Sequence, residues 1–137
     1  MHNVVQTVCE ATKHPDNPVL PLGAEGEWDS CQASPWASRT VIYDDEERIF
    51  KAWYEGGRGA DVPREQDPFW ITTGYAISED GIHWKLTRNE PVITEGAFDS
   101  QNLAFWDEHT QQYREYHRSF VNGIRAIMTG TSSDFIN

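Results

Sequence analysis

The sequence predicts an all-β chain of two antiparallel four-strand units, the second lacking its last strand. Three observations point there. The chain repeats itself, its apolar residues fall in short β-branched and aromatic runs, and no stretch carries sustained helical periodicity. In the repeat, Asn17-Pro18-Val19-Leu20 returns as Glu90-Pro91-Val92-Ile93, and Trp28-Asp29-Ser30 as Phe98-Asp99-Ser100. Tyr43-Asp44 is echoed by Trp106-Asp107, and Lys51-Ala52-Trp53-Tyr54 by Arg114-Glu115-Tyr116-His117. Ser78-Glu79-Asp80-Gly81 is echoed by Ser132-Ser133-Asp134-Phe135. A repeat of this length built from short strands marks stacked sheet modules, which cannot bury their faces alone.

The elements follow in order. Residues 38–43 and 48–54 are strand-like runs around Asp44-Asp45-Glu46-Glu47, and a short polar connection between such runs reads as a hairpin. A loop rich in Gly, Pro and charge spans 55–69. Residues 70–78 form a third strand, Glu79-Asp80-Gly81 a tight turn, and 82–87 a fourth strand. The second unit supplies strands near 101–106, 111–119 and 123–131. Before both units lies the β-prone segment Val4–Cys9, which has no partner of its own. The whole chain, 1–137, reads as one β domain with units at about 14–88 and 89–137. Meander order puts the acidic turns at 44–47 and 107–111 at one end of the sheets. The Trp-Asp-Ser and Phe-Asp-Ser segments share the other end with the 55–69 loop, and loops on a rigid scaffold are where function concentrates.

Composition narrows the partners. Eleven basic residues against 22 acidic ones give a net charge of −11, which repels phosphate backbones and anionic headgroups. Neither nucleic acid nor a membrane is therefore expected as a partner. The start, Met1-His2-Asn3-Val4, lacks the features of a signal peptide, so a cytoplasmic location is expected. Cys9 and Cys31 read as buried free thiols of a reducing compartment. His2, His14, His83, His109 and His117 include no pair at ligand spacing, so no metal and no cofactor are expected. Aromatics reach 12% of residues, which suits rings wedged between sheets or platforms for sugars.

The lead-in Asn17-Pro18-Val19-Leu20, Trp28-Asp29-Ser30 and Phe50-Lys51-Ala52-Trp53-Tyr54 carry a resemblance, with the long match Gly74-Tyr75-Ala76-Ile77-Ser78-Glu79-Asp80-Gly81-Ile82-His83-Trp84 and Phe98-Asp99-Ser100-Gln101-Asn102. Over roughly 14–137 the chain resembles the five-bladed β-propeller glycosidase superfamily of invertase- and arabinanase-type enzymes. It is most similar to bacterial glycosidase-like members. The resemblance implies a partial propeller of two blades and a carbohydrate-related function. The invertase-type Asn-Asp-Pro-Asn, Arg-Asp-Pro and Glu-Cys motifs are missing, so hydrolysis is expected only if further blades complete the site. Alone, the chain is expected to be inactive.

Glycoside hydrolysis needs two carboxyl groups, one protonated and one ionised. Asp29 and Asp99 are candidates because each leads into the first strand of its unit at the loop-rich end. An Asp followed by Ser before a strand also makes a local turn, the structural alternative for both. Glu55 is a third candidate, as an acid whose pKa an apolar wall would raise. Where the units differ, Tyr54-Glu55 is replaced by His117-Arg118, and Arg118 would neutralise a sugar acid or pair with Glu55. Gln101 and Asn102 offer amides that donate and accept to sugar hydroxyls, and Trp28 a ring for a sugar face or for the core. The unpaired outer edge of the second unit invites strand addition, so a homo-oligomer, a dimer or larger, is expected. In that reading Val4–Cys9 completes the second unit, in the same chain or a neighbour's, or else the free edges meet across a two-fold axis. The rival reading makes the chain a non-catalytic interaction module built from propeller blades.

Overall fold

The computed structural model describes residues 7–34, 40–58 and 70–136. Residues 4–6 of the expected N-terminal strand, 38–39 of the first hairpin and 59–69 of the long loop lie outside the described residues. All described regular structure is β. The first sheet contains β1 (Gln32–Ser34), β2 (Val41–Asp44), β3 (Ile49–Gly57), β4 (Thr72–Ser78) and β5 (Lys85–Leu86). The second contains β6 (Leu103–Asp107), β7 (Gln112–Val121) and β8 (Ile124–Ser132). Every pairing is antiparallel. β1 and β2 lie end to end along one edge of β3, with β4 on its other edge and β5 beyond. The second sheet runs β6-β7-β8. These are the two blade-like meanders the repeat predicts, the second ending at its third strand.

Turn chemistry explains why the echoed segments adopt the same shape. Asp44 Oδ1 accepts from the backbone N–H of Glu46 and Glu47, and Asp107 Oδ1 from that of His109. Both hairpins close on a left-handed residue, Arg48 at φ 59° and Gln111 at φ 53°. Seven residues after each Asp sits its cation: Lys51 Nζ is 2.7 Å from Asp44, and Arg114 Nε is 3.0 Å from Asp107. At the other turn Ser78 Oγ accepts from Gly81 N–H at 2.9 Å, and Ser132 Oγ from Phe135 N–H at 2.8 Å. The turn needs a left-handed residue there. Gly81 supplies it at φ 75° without cost, whereas Phe135 occupies it at φ 57° with a side chain attached.

That side chain is put to use in the core. Trp53, Tyr75, Ala104, Tyr113 and Phe135 form the cluster between the sheets. Trp53 stacks on Tyr75 at 5.0 Å, and Phe135 meets Trp53 edge-on at 4.5 Å. Pairs of this kind add about 0.5–1.5 kcal/mol beyond the area they bury. Lys51 crosses the same gap, its Nζ 2.8 Å from Tyr113 Oη. A strand alternates its faces, so the contacts of Lys51 and Trp53 with Tyr113 turn the odd-numbered face of β3 toward the odd-numbered face of β7. The other face of the first sheet carries a second cluster of Trp28, Tyr54 and Ala76, covered by Leu20 and Trp84.

Two expectations change. Cys9 and Cys31 are free but exposed, because neither lies on an element that faces a core. Thr7, Val8 and Cys9 are exposed and belong to no strand, so the described part of Val4–Cys9 does not complete the second sheet of its own chain.

Candidate functional site

The loop-rich end is where β3 leaves its sheet, β4 enters, and the segments before β1 and β6 arrive. Trp28 and Asp29 reach it on the outer face of the first sheet. Trp28 packs its ring on Tyr54 at 5.7 Å, and Asp29 Oδ2 accepts from Tyr54 Oη at 2.8 Å. Both are almost wholly buried, Asp29 at 2% exposure. Gly56 lets them approach: a Cβ there would collide with the Trp28 ring and touch Asp29 Cβ. Gly23 is packed in the same way against Asp29 Oδ1, which has no hydrogen-bond partner among the described residues. Burial pushes the Asp29 carboxyl up, and the Tyr54 hydrogen bond offsets only part of that. The Tyr54 hydroxyl is itself pushed well above its ordinary value, by burial and by Asp29.

Glu55 follows Tyr54 in β3 and therefore projects from the opposite face, toward the second sheet. Its carboxylate accepts from Gln32 Nε2, and Thr73 lies directly across from it on β4. Asp29 and Glu55 are thus separated by the β3 backbone and do not flank one point. Asp99 is exposed and pairs with Arg118. Arg118 lies on the face of β7 turned away from the first sheet, so the expected pairing of Arg118 with Glu55 does not form. Trp28 belongs to the core, and its ring offers no free face for a sugar.

A second polar group sits between the sheets. His117 packs on Phe98 at 5.2 Å and holds Glu115 Oε2 at 2.7 Å through Nδ1. Asn102 Nδ2 donates to the Phe98 and Ser100 carbonyls at 3.1 Å. Asn102 Oδ1 and Thr73 Oγ1 are buried without hydrogen-bond partners among the described residues. These four residues line one small cleft with Phe98 and Trp53. Gln101 is exposed beside it. Sequence reasoning singled out Asn102 and His117 but passed over Glu115 and Thr73. Strand periodicity was the available signal, since Glu115 stands two residues from both Tyr113 and His117. Among the described residues no three of His, Cys, Asp or Glu are placed to hold a metal.

With this geometry in place, the chain can be set beside known proteins. No family model matches it, and no curated protein matches it. Among solved structures it is similar to a glycosyl hydrolase from Bacteroides ovatus, with a TM-score of 0.62 at 14% identity. The match covers 91% of this chain and 38% of that one. The likeness places the chain in a glycosidase-like all-β fold and shows that it spans well under half the length of that relative.

Proposed function

We propose that this chain is a carbohydrate-recognising module of propeller-glycosidase type, with Asp29 as its functional carboxyl. The observation that carries the reading is Asp29 itself. It is a buried carboxyl with one oxygen unpartnered among the described residues and a raised pKa, at the loop-rich end of a glycosidase-like fold. Carboxyls so perturbed cluster at functional sites. A carboxyl that holds its proton more tightly than usual suits the acid of glycoside hydrolysis, which also requires an ionised partner across the bond. Glu55 faces away and Asp99 is engaged by Arg118, so neither supplies that ionised partner. Recognition therefore stands first, and hydrolysis belongs to a form completed by further blades. Gly23 is packed against Asp29 Oδ1, so a ligand reaches the carboxyl only if that contact opens.

Asp29→Asn tests this, because it keeps an acceptor for Tyr54 and removes the charge. The sign follows from linkage. A carboxyl whose folded pKa is raised stabilises below its unfolded value near 3.8, and loses that contribution as pH rises through the folded value. At pH 7 the variant is thus expected to melt at or above the wild-type temperature. A panel of neutral sugars should raise the wild-type melting temperature and leave that of the variant unmoved. A variant that melts lower at pH 7, with no sugar shifting the wild type, overturns the reading and makes Asp29 a turn residue.

A further inference from the structure

Each sheet has one face that the other sheet leaves open, that of the first sheet being partly covered by Leu20, Trp28 and Trp84, and the two open faces are counterparts. Cross-strand pairs share a face. On the second sheet the open face carries Leu103, Phe105, Tyr116, Phe120 and Ile127, each 36% to 71% exposed. Arg114, Arg118 and Arg125 stand among them. On the first sheet the register to Ala52, Phe50 and Ala76 puts Val41, Tyr43 and Leu86 on the open face, at 50%, 46% and 38% exposure. The exposed acidic residues Asp45, Glu46, Glu47, Glu79 and Asp80 lie in turns at the ends of strands β2 to β4. On the second sheet Arg114 is paired with Asp107 and Arg118 with Asp99.

The repeat says what such a face fits. Lys51, Trp53 and Glu55 of the first sheet, covered by the second, correspond to Arg114, Tyr116 and Arg118, which face away from the first sheet. Val41 and Phe50, on the open face of the first sheet, correspond to Ala104 and Tyr113, which form the core between the sheets. The open face of each sheet is thus equivalent to the covered face of the other. We propose that a second copy of this chain stacks head to tail on the first. Val41, Tyr43 and Leu86 of one copy meet Tyr116, Phe120 and Ile127 of the next, repeating the contact already made within each chain. A two-fold packing of the second-sheet face on itself would not repeat the contact that the two sheets make within the chain. Head-to-tail contacts close into rings or extend as chains. The inference is independent of sugar binding.

Light scattering at micromolar concentration tests it with two exposed substitutions, Ile127→Glu and Val41→Glu, whose folds are checked by circular dichroism. The wild type should have a mass that is a multiple of 15.7 kDa. Each variant alone should be a monomer, because every head-to-tail contact needs both faces. Mixed in equal amounts the two variants should form dimers, since one chain keeps an intact first-sheet face and the other an intact second-sheet face. A monomeric wild type overturns the proposal. So does a mixture that stays monomeric, or a Val41→Glu chain that remains assembled through β8 or a two-fold contact.

Discussion

Replacing Phe135 with glycine should cost less stability than replacing it with alanine, the reverse of the usual order for these residues. Phe135 is 6% exposed, edge-on to Trp53 at 4.5 Å and to Tyr113 at 5.8 Å, and sits at φ 57°. Either substitution deletes the ring and opens a cavity between the sheets, a loss of about 3–5 kcal/mol for a buried phenylalanine. Alanine keeps a Cβ in the left-handed region and so retains a strain of about 1–2 kcal/mol. Glycine relieves that strain but gains unfolded-chain freedom, which returns about 0.5–1 kcal/mol. The balance leaves glycine ahead by roughly 1 kcal/mol, with Phe135→Gly losing about 2–4 kcal/mol in all. Urea unfolding followed by tryptophan fluorescence measures both, since Trp53 lies against the substituted ring. Alanine equal to or better than glycine would refute the left-handed assignment. A loss below about 1 kcal/mol in both would refute the core position of the ring.

Two further outcomes are expected. Lys51→Met should cost about 2–4 kcal/mol in urea unfolding, because it leaves Tyr113 Oη and the half-buried Asp44 carboxylate without their cation. Glu47, 60% exposed, should add little to that loss. The carboxyls of Asp44 and Asp107 are held below their usual value, Asp44 chiefly by the Glu47 backbone N–H and Asp107 chiefly by Arg114. Their stabilisation is present above pH 3.8 and lost as pH falls through the folded values, so Asp44→Asn and Asp107→Asn should flatten the acid limb of a melting-temperature profile against pH.

Much of the fold was legible because it is local. The Asp-led hairpin turns and the Ser-x-Asp turns are built by side chains bonding backbone two or three residues on, so identical spacing produces identical shape. Strand order follows from short connections, and the repeat itself from echoed residues. What the chain alone did not disclose is which echoed residues meet. Stacked repeats present equivalent faces in the same sense, so a residue never packs against its own echo. Trp53 meets Tyr113, the echo of Phe50, while its own echo Tyr116 faces solvent. For the same reason Glu55 and Arg118 do not pair, and Asp29 and Glu55, neighbours at one strand end, fall on opposite faces of β3. Strand alternation sorts side chains into two faces, but only the stacking of one sheet on the other decides which face is dry. The burial that raises the Asp29 pKa, and the exposure that leaves Asp99 to Arg118, are decided at that level and nowhere earlier.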